Sequence, residues 1–366
     1  MKKKFQRLYL HIPFCASKCS YCAFYSIPKP EKDLVEKYFL RLEEEIEENK
    51  GETGILDSIF IGGGTPNWLP TEKLEKLFKM ISANFAVSKD AEISIECNPE
   101  SLNSEKISVI ANFANRISLG VQSFSPEFRK ILGRNCSSDQ IENAFELVRE
   151  SGIKNFGCDL IYSIPGQSLE NWFSDLESAI KTGIRHLSAY SLTYEEGTVL
   201  TKNQDWQYDD DLESEMWLET QRLLVSEGLQ RYEISNYAFP GFECRHNMRI
   251  WFGSGYLGLG PAATSFDGKN RWTQPCDIKS WLEKKSPEMD IISPEARASE
   301  ILAMGLRTSQ GWNVDQLYEA TGFKFEKWKE PLEELESLGM IKLEKDGISC
   351  TPKGLLLWNE VAEMLL

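Results

Sequence analysis

The sequence predicts an α/β protein: a partial barrel of six strand-then-helix units, followed by a small α+β unit of winged-helix order. Three observations predict it. Strand-like and helix-like segments alternate over residues 1–237. Polar and glycine signals recur just after strand after strand, as on the C-terminal rim of a barrel and not in an open doubly wound sheet. After residue 290 the order changes to helix, helix and hairpin.

The elements follow in order. Arg7–Ile12 is a short apolar strand. Asp33–Asn49 carries Leu34, Tyr38, Leu42 and Ile46 at helical spacing, with acids outside. Asp57–Ile61 is a strand ending in three glycines, and Thr71–Phe85 a helix with Thr71 as its expected cap. Glu92–Ile95, Arg116–Gly120, Phe156–Ile161 and His186–Leu192 are the remaining strands. Helices are expected over Ser104–Phe113, 126–132, 138–151 and Leu169–Thr182. Short links between parallel strands imply right-handed crossovers. Trp206–Asp211 reads as an acidic, aromatic linker, Leu212–Glu227 as a helix and Tyr232–Tyr237 as a seventh strand. Residues 238–290 form a glycine- and aromatic-rich connecting region, and 291–366 the C-terminal unit. That unit has helices near 294–306, Val314–Thr321 and Lys327–Leu338, then strands Met340–Glu344 and Ile348–Thr351 and a closing helix.

Composition excludes several functions. The formal net charge of −15 repels phosphate backbones and anionic lipids. The winged-helix order would suggest DNA binding, but residues 310–366 hold six Lys/Arg against eleven Asp/Glu, so a structural or partner-docking role is expected. No apolar run approaches the roughly 20 residues that span a bilayer. The start, Met1-Lys2-Lys3-Lys4, is basic, yet the apolar stretch after it is broken by Arg7 and His11, so a cytoplasmic protein is expected. Nine cysteines, an odd number, argue against a disulfide framework. Three histidines leave little scope for a multi-histidine metal site.

Three of the cysteines are clustered. Cys15-Ala-Ser-Lys-Cys19-Ser-Tyr-Cys22 is C-x3-C-x2-C directly after the first strand. A tight loop there can aim three thiolates at one point. Three soft sulfurs suit an iron–sulfur cluster and leave one iron of a four-iron cube open. Zinc and three structural thiols are the competing readings. Zinc wants a fourth ligand, and Ala23, Phe24 and Tyr25 supply none.

The motif resembles that of the radical S-adenosylmethionine (radical SAM) superfamily, in which the open iron of a [4Fe–4S] cluster chelates the methionine amino and carboxylate groups of the cofactor. Further signals come in the expected order. Gly62-Gly63-Gly64-Thr65-Pro66 follows the second strand and lets backbone groups approach a ligand closely. Glu96 ends the third strand, where it can bond ribose hydroxyls. Gln122 ends the fourth, and Arg134 follows one helix later, able to balance a carboxylate. Asp159 lies inside an apolar strand, a costly position for an unpaired acid. Gly253-Ser-Gly255-Tyr-Leu-Gly258 matches G-x-G-x-x-G but lacks the strand before and helix after that a dinucleotide site needs.

The runs Leu8–Cys15, Gly62–Pro66, Gly120–Phe124, Asp159–Tyr162 with Pro165-Gly166-Gln167, and Tyr232–Tyr237 resemble the oxygen-independent coproporphyrinogen oxidase group. The resemblance covers almost the whole chain. The group has a dehydrogenase branch, HemN, and a heme-chaperone branch, HemW. The dehydrogenase carries a fourth cysteine two residues after the third, where this chain has Phe24, and a long extension before the first, which here is already residue 15. His246-Asn247-Met248-Arg249-Ile250-Trp251 is similar to the HNxxYW motif of the chaperone branch, which is tied to heme binding. By itself a histidine among aromatics reads as a satisfied core or surface residue. The resemblance makes His246 a candidate axial ligand, with Asn247 and Trp251 beside it. Ile250 replaces the motif's tyrosine, and Thr264 stands where relatives carry histidine.

The resemblance further implies cofactor contacts at Tyr9, Tyr21, Gly63, Gly64, Thr65, Glu96, Gln122, Arg134, Asp159, Thr193 and Thr264. It implies a heme-acceptor protein and a reductant such as a flavodoxin or ferredoxin as partners. The expected function is heme delivery. The rivals are coproporphyrinogen III decarboxylation, or radical chemistry on another substrate under a C-terminal lid.

Overall fold

The computed structural model describes residues 5–202 and 209–366. The Met1–Lys4 start and residues 206–208 of the expected linker lie outside them. Six long strands form as the alternation requires: β1 (Phe5–Ile12), β2 (Thr53–Gly63), β3 (Val87–Cys97), β4 (Arg116–Gln122), β5 (Asn155–Tyr162) and β6 (His186–Ser191). The helices between them are α1 (Lys32–Asn49), α2 (Thr71–Asn84), α3 (Ser104–Ala111), α4 (Pro126–Ile131), α5 (Ser138–Glu150) and α6 (Leu169–Lys181); α7 (Asp210–Ser226) follows β6.

Each helix has a local cause. In α1, Val35, Tyr38, Phe39, Leu42 and Ile46 recur at three- and four-residue spacing and are buried. Capping boxes close the starts of α5 (Ser137 with Gln140) and α6 (Ser168 with Asn171), each cap worth about 0.5–2 kcal/mol. The expected Thr71 cap is corrected: Thr71 is already the first helical residue of α2, Pro70 holds the cap position, and no side chain caps the helix.

All six long strands are parallel to their neighbours, in the order β1-β2-β3-β4-β5-β6. Three short strands extend the sheet. Beyond β6 lie β7 (Gln230–Arg231) and β8 (Asn236–Ala238), with β8 antiparallel to both. The single seventh strand expected over Tyr232–Tyr237 is therefore a hairpin: Tyr232–Ser235 connects two short strands. After a short helix, α8 (Arg245–Trp251), strand β9 (Leu257–Leu259) pairs parallel with the outer edge of β1. Among the described residues β9 and β7 do not pair, so the nine-stranded barrel stays open.

The strand faces segregate. Leu8, Leu10, Ile12, Ile59, Ile61, Ile117, Leu119, Cys158, Leu160 and Leu187 belong to the main apolar core shared with the helices. The alternate positions (Arg7, Tyr9 and His11; Ser58 and Phe60; Glu92, Ser94 and Glu96; Arg116 and Ser118; Asp159; His186 and Ser188) line the lumen, which is polar where many barrels pack branched aliphatics.

After β9 comes a side sheet of β10 (Thr264–Phe266), β11 (Arg271–Thr273) and β12 (Glu288–Asp290), with α9 (Ile278–Leu282) between the last two. The C-terminal unit contains α10 (Pro294–Leu306), β13 (Trp312–Asn313), α11 (Val314–Thr321), α12 (Lys329–Ser337), hairpin β14 (Ile341–Glu344) and β15 (Gly347–Cys350), then α13 (Pro352–Leu356) and α14 (Trp358–Leu365). Arg307 clamps it to the barrel. Its guanidinium donates twice to fully buried Glu233, at 3.2 Å each, and lies over the rings of Trp251 (5.3 Å) and Trp358 (5.2 Å). No helix among the described residues is long and apolar enough to cross a membrane.

Face segregation predicts unequal mutational costs. Leu119→Ala, on the helix-facing side of the central strand, should lower the unfolding free energy by about 2–5 kcal/mol in a denaturant titration. Ser94→Ala, which removes a lumen hydroxyl that has no partner, should change it by less than about 1 kcal/mol. Equal losses would contradict the assignment of faces.

Candidate cofactor site

The cysteine loop is tied at its neck. Phe14 and Cys15 pair with Ile27 and Pro28, the Ile27 N–H donates to the Pro13 carbonyl (2.6 Å), and the Lys29 N–H donates to the Cys15 carbonyl (2.9 Å). Two further backbone bonds dock its tip: the Ser20 N–H donates to the carbonyl of Leu132 (2.9 Å), and the Leu200 N–H to that of Ser20 (3.0 Å). The loop therefore stands over the C-terminal ends of the strands. Cys15, Cys19 and Cys22 are half-buried free thiols. The Thr65 hydroxyl donates to Cys15 Sγ at 3.5 Å and Arg134 Nη1 to Cys19 Sγ at 3.7 Å. Burial pushes the Cys15 and Cys22 thiols up, and the Cys19 sulfur adds to both shifts, so the three sulfurs are electrostatic neighbours. Metal ligation would deprotonate them. No group of three or more His, Cys, Asp or Glu among the described residues is placed for a single metal ion. A four-iron cube takes each thiolate on a different iron, so its demand is for wider spacing.

The glycine loop lies against this neck. The Gly64 N–H donates to the Ile12 carbonyl and the Thr65 N–H to the Phe14 carbonyl, both at 2.8 Å. A Cβ on Gly64 would meet Cys15 Sγ at 2.9 Å. Gly63 has φ +111°, and a Cβ there would meet the His11 ring at 2.8 Å, so both positions require glycine. The Gly63 N–H donates to Glu96 Oε2 at 3.2 Å.

Two acids share the upper lumen. Burial raises the Glu96 carboxyl to about 7, and nearby Asp159 adds to the shift. Asp159 is also raised by burial, against the Ser188 and Ser118 hydroxyls; Ser118 donates to Oδ1 at 2.9 Å. Gln122 adopts φ +68° at a register break in β4, a left-handed conformation costing about 1–3 kcal/mol for a residue other than glycine. Arg134 Nη2 donates to Asn98 Oδ1 at 3.0 Å and to the Gly120 carbonyl.

Tyr9 and Tyr21 are both at this end. The Tyr9 hydroxyl bonds His11 Nδ1 at 3.0 Å, and His11 Nε2 donates to the Tyr25 carbonyl at 2.9 Å. Since a carbonyl only accepts, Nε2 carries the ring hydrogen and Nδ1 receives the tyrosine proton. His11, Asn98 and Ser118 escaped the sequence reading. The signal for His11 was available: it is two residues from Tyr9, hence on the same strand face. Tyr21 packs on a small cluster of Phe128, Leu132, Ile161, Ile164, Leu192 and Leu200. Thr193 is exposed just past β6. Thr264 lies in the side sheet, where its hydroxyl pairs with that of Thr273 at 2.9 Å.

His246 is placed elsewhere. It is 2 % exposed, and its Nδ1 is 2.9 Å from Ser58 Oγ while its backbone N–H donates to Glu92 Oε1 at 2.9 Å. Ser58 precedes Gly62 by four residues, about 13 Å along the strand, so His246 closes the lumen floor opposite the cysteine rim. Burial, with the charges of Arg7 and Arg116, takes its pKa down to about 3, and its buried Nε2 has no partner. Asn247 and Trp251 are half-buried on the same helix, with the Arg307 guanidinium over the Trp251 ring.

Two outcomes follow. Gly63→Ala should weaken S-adenosylmethionine binding at least tenfold in equilibrium dialysis while the iron content of reconstituted protein stays unchanged; unaltered affinity would contradict the cradle. Glu96 holds its proton more tightly folded than unfolded, so its contribution to stability is complete below its ordinary value of 4.5 and is lost as pH rises through about 7. Unfolding curves of Glu96→Gln should lack that decline between pH 4.5 and 7.

Comparison with known proteins agrees with this layout. Residues 9–179 match the family model described as the Radical SAM superfamily, and residues 292–357 that described as the HemN C-terminal domain. Radical SAM domains imply a [4Fe–4S] cluster and S-adenosylmethionine. The chain is 32% identical over 376 residues to heme chaperone HemW of Lactococcus lactis, covering 100% of this chain and 98% of that one. It is 32% identical over 370 residues to heme chaperone HemW of Bacillus subtilis, covering 96% and 97%. Coproporphyrinogen III oxidase (HemN) from Escherichia coli, a radical SAM enzyme, superposes with a TM-score of 0.86 over 99% of this chain and 90% of that one; at 23% identity this shows a shared fold. The chain belongs to the HemW family of radical SAM proteins.

Proposed function

We propose that this protein is a heme chaperone that carries a [4Fe–4S] cluster on Cys15, Cys19 and Cys22 and binds S-adenosylmethionine at the barrel rim. Backbone groups of Gly63 and Gly64 receive the methionine amino group, with Thr65 beside them. Arg134 balances the carboxylate, Glu96 bonds the ribose, and Tyr9, Tyr21, Gln122 and Asp159 enclose the rest. Thr193 and Thr264 are the outermost candidates. When bound, the cluster can supply one electron to the cofactor, delivered by a reductant such as a flavodoxin or ferredoxin.

The observation that carries the heme reading is the state of His246. It is a neutral imidazole with one nitrogen fixed on Ser58 and the other, Nε2, partnerless in the interior. An oriented imidazole with a free nitrogen is what an axial ligand requires. Its burial means that α8 must shift to admit the macrocycle, and displacement of Arg307 would free the Trp251 face. An acceptor protein then receives the heme. The names of the two relatives, nearly the whole length of which the chain matches, support the same reading. Phe24, in the position of the dehydrogenase's fourth cysteine, disfavours coproporphyrinogen turnover.

Anaerobically reconstituted protein should develop a Soret band with hemin, and His246→Ala should lose at least nine-tenths of it while retaining its iron–sulfur absorbance. Supplied with coproporphyrinogen III and a reductant, the wild type should form no protoporphyrinogen. Turnover of that substrate would overturn the chaperone reading.

A further inference from the structure

Arg116 opens β4 on the lumen side, two residues before Ser118, whose hydroxyl bonds Asp159. It is 3 % exposed. Its guanidinium makes no hydrogen bond and no ion pair with any described residue, and its Nε is buried without a partner. The neighbouring acids hydrogen-bond elsewhere: the Glu92 carboxylate accepts from the backbone N–H groups of Arg245 and His246, at 2.9 Å each, and pairs with Arg245 at 3.9 Å, while Asp159 accepts from the Ser118 hydroxyl at 2.9 Å. A guanidinium offers five N–H donors, and leaving a buried one such as the Nε–H unmet is costly.

The groups around Arg116 have the same deficit. Ser94 is its direct neighbour in the register between β3 and β4, and Ser94 Oγ is buried without a partner. Burial lowers the pKa of His186, as it does that of His246, and the Arg116 charge adds to both shifts. Tyr232 Oη accepts from the Cys244 N–H at 3.3 Å and lies 2.6 Å from His186 Nε2. His186 Nδ1 is buried without a partner as well. With His246 Nε2, four buried side chains from four separate elements carry a partnerless atom in one small region. What the Arg116 guanidinium lacks is a hydrogen-bonded acceptor.

We infer that the lumen floor is a carboxylate-binding site centred on Arg116, with Ser94 and His186 as its flanking partners. A carboxylate offers two oxygens in the geometry of the guanidinium fork. The carboxylate is either a free small acid or a propionate arm of a tetrapyrrole; only the second depends on the heme reading.

The test uses the full-length reconstituted protein, with acetate as the probe and chloride as the ionic-strength control. Acetate should bind saturably by calorimetry, and Arg116→Gln should weaken it at least tenfold, with Arg116→Lys intermediate. Heme and heme dimethyl ester, followed by the Soret band, separate the sources. For a propionate arm, Arg116→Gln lowers heme affinity at least tenfold and leaves ester affinity unchanged. For a free acid, heme affinity is unaffected. A protein that takes no heme but retains Arg116-dependent acetate binding would defeat the chaperone reading and leave this one standing. Should the variants not fold, bromoacetate soaked into wild-type crystals should give an anomalous bromine peak beside the guanidinium. Acetate binding insensitive to Arg116→Gln with heme affinity also unchanged, or no bromine peak at saturation, would overturn the proposal and leave only internal water.

Discussion

The period-two alternation of the six long strands is the constraint on which everything else depends. One face of each strand buries Leu, Ile and Val under the helices, and that burial, about 1.5–3 kcal/mol per large side chain, fixes register. The opposite face is thereby free to carry Tyr9, Glu96, Ser118, Asp159 and Arg116 into a shared interior. A one-residue slip in any strand would exchange the two sets. The polar lumen is thus held in place by an apolar exterior face that takes no part in the chemistry.

At the rim, two loops depend on one another. The cysteine loop is closed by backbone bonds between Pro13–Cys15 and Ile27–Lys29, and the glycine loop is hydrogen-bonded to the same Ile12–Phe14 segment. Gly63 and Gly64 lack side chains because His11 and Cys15 occupy the space a Cβ would need. The two loops are therefore one structure. At the floor, α8 is held at both ends: the Cys244 N–H bonds Tyr232, and Trp251 lies beneath Arg307 of the C-terminal unit. That unit consequently bears on the helix that carries His246.

Much of this was legible in the chain. All six long strands and the helices between them follow from apolar periodicity, because long amphipathic segments signal strongly. The short edge strands were not legible. Gln230–Arg231, Asn236–Ala238 and Leu257–Leu259 are too brief to alternate, and the apolar–polar rhythm of Tyr232-Glu233-Ile234 imitates a strand where the chain turns. The rim site was readable because C-x3-C-x2-C and the glycine run are local patterns. The setting of His246 was not, since its partners Ser58 and Glu92 lie 188 and 154 residues away. The unmet donors of Arg116 are likewise a property of three-dimensional neighbours.

The central claim is that three thiolates at the rim leave one iron open to S-adenosylmethionine. Electron–nuclear double resonance on the reduced, reconstituted protein tests it most directly, using cofactor labelled with nitrogen-15 at the methionine amino group. A resolved nitrogen-15 hyperfine coupling to the cluster, lost on omitting the cofactor, is the predicted result. A cluster spectrum identical with and without labelled cofactor would contradict the account.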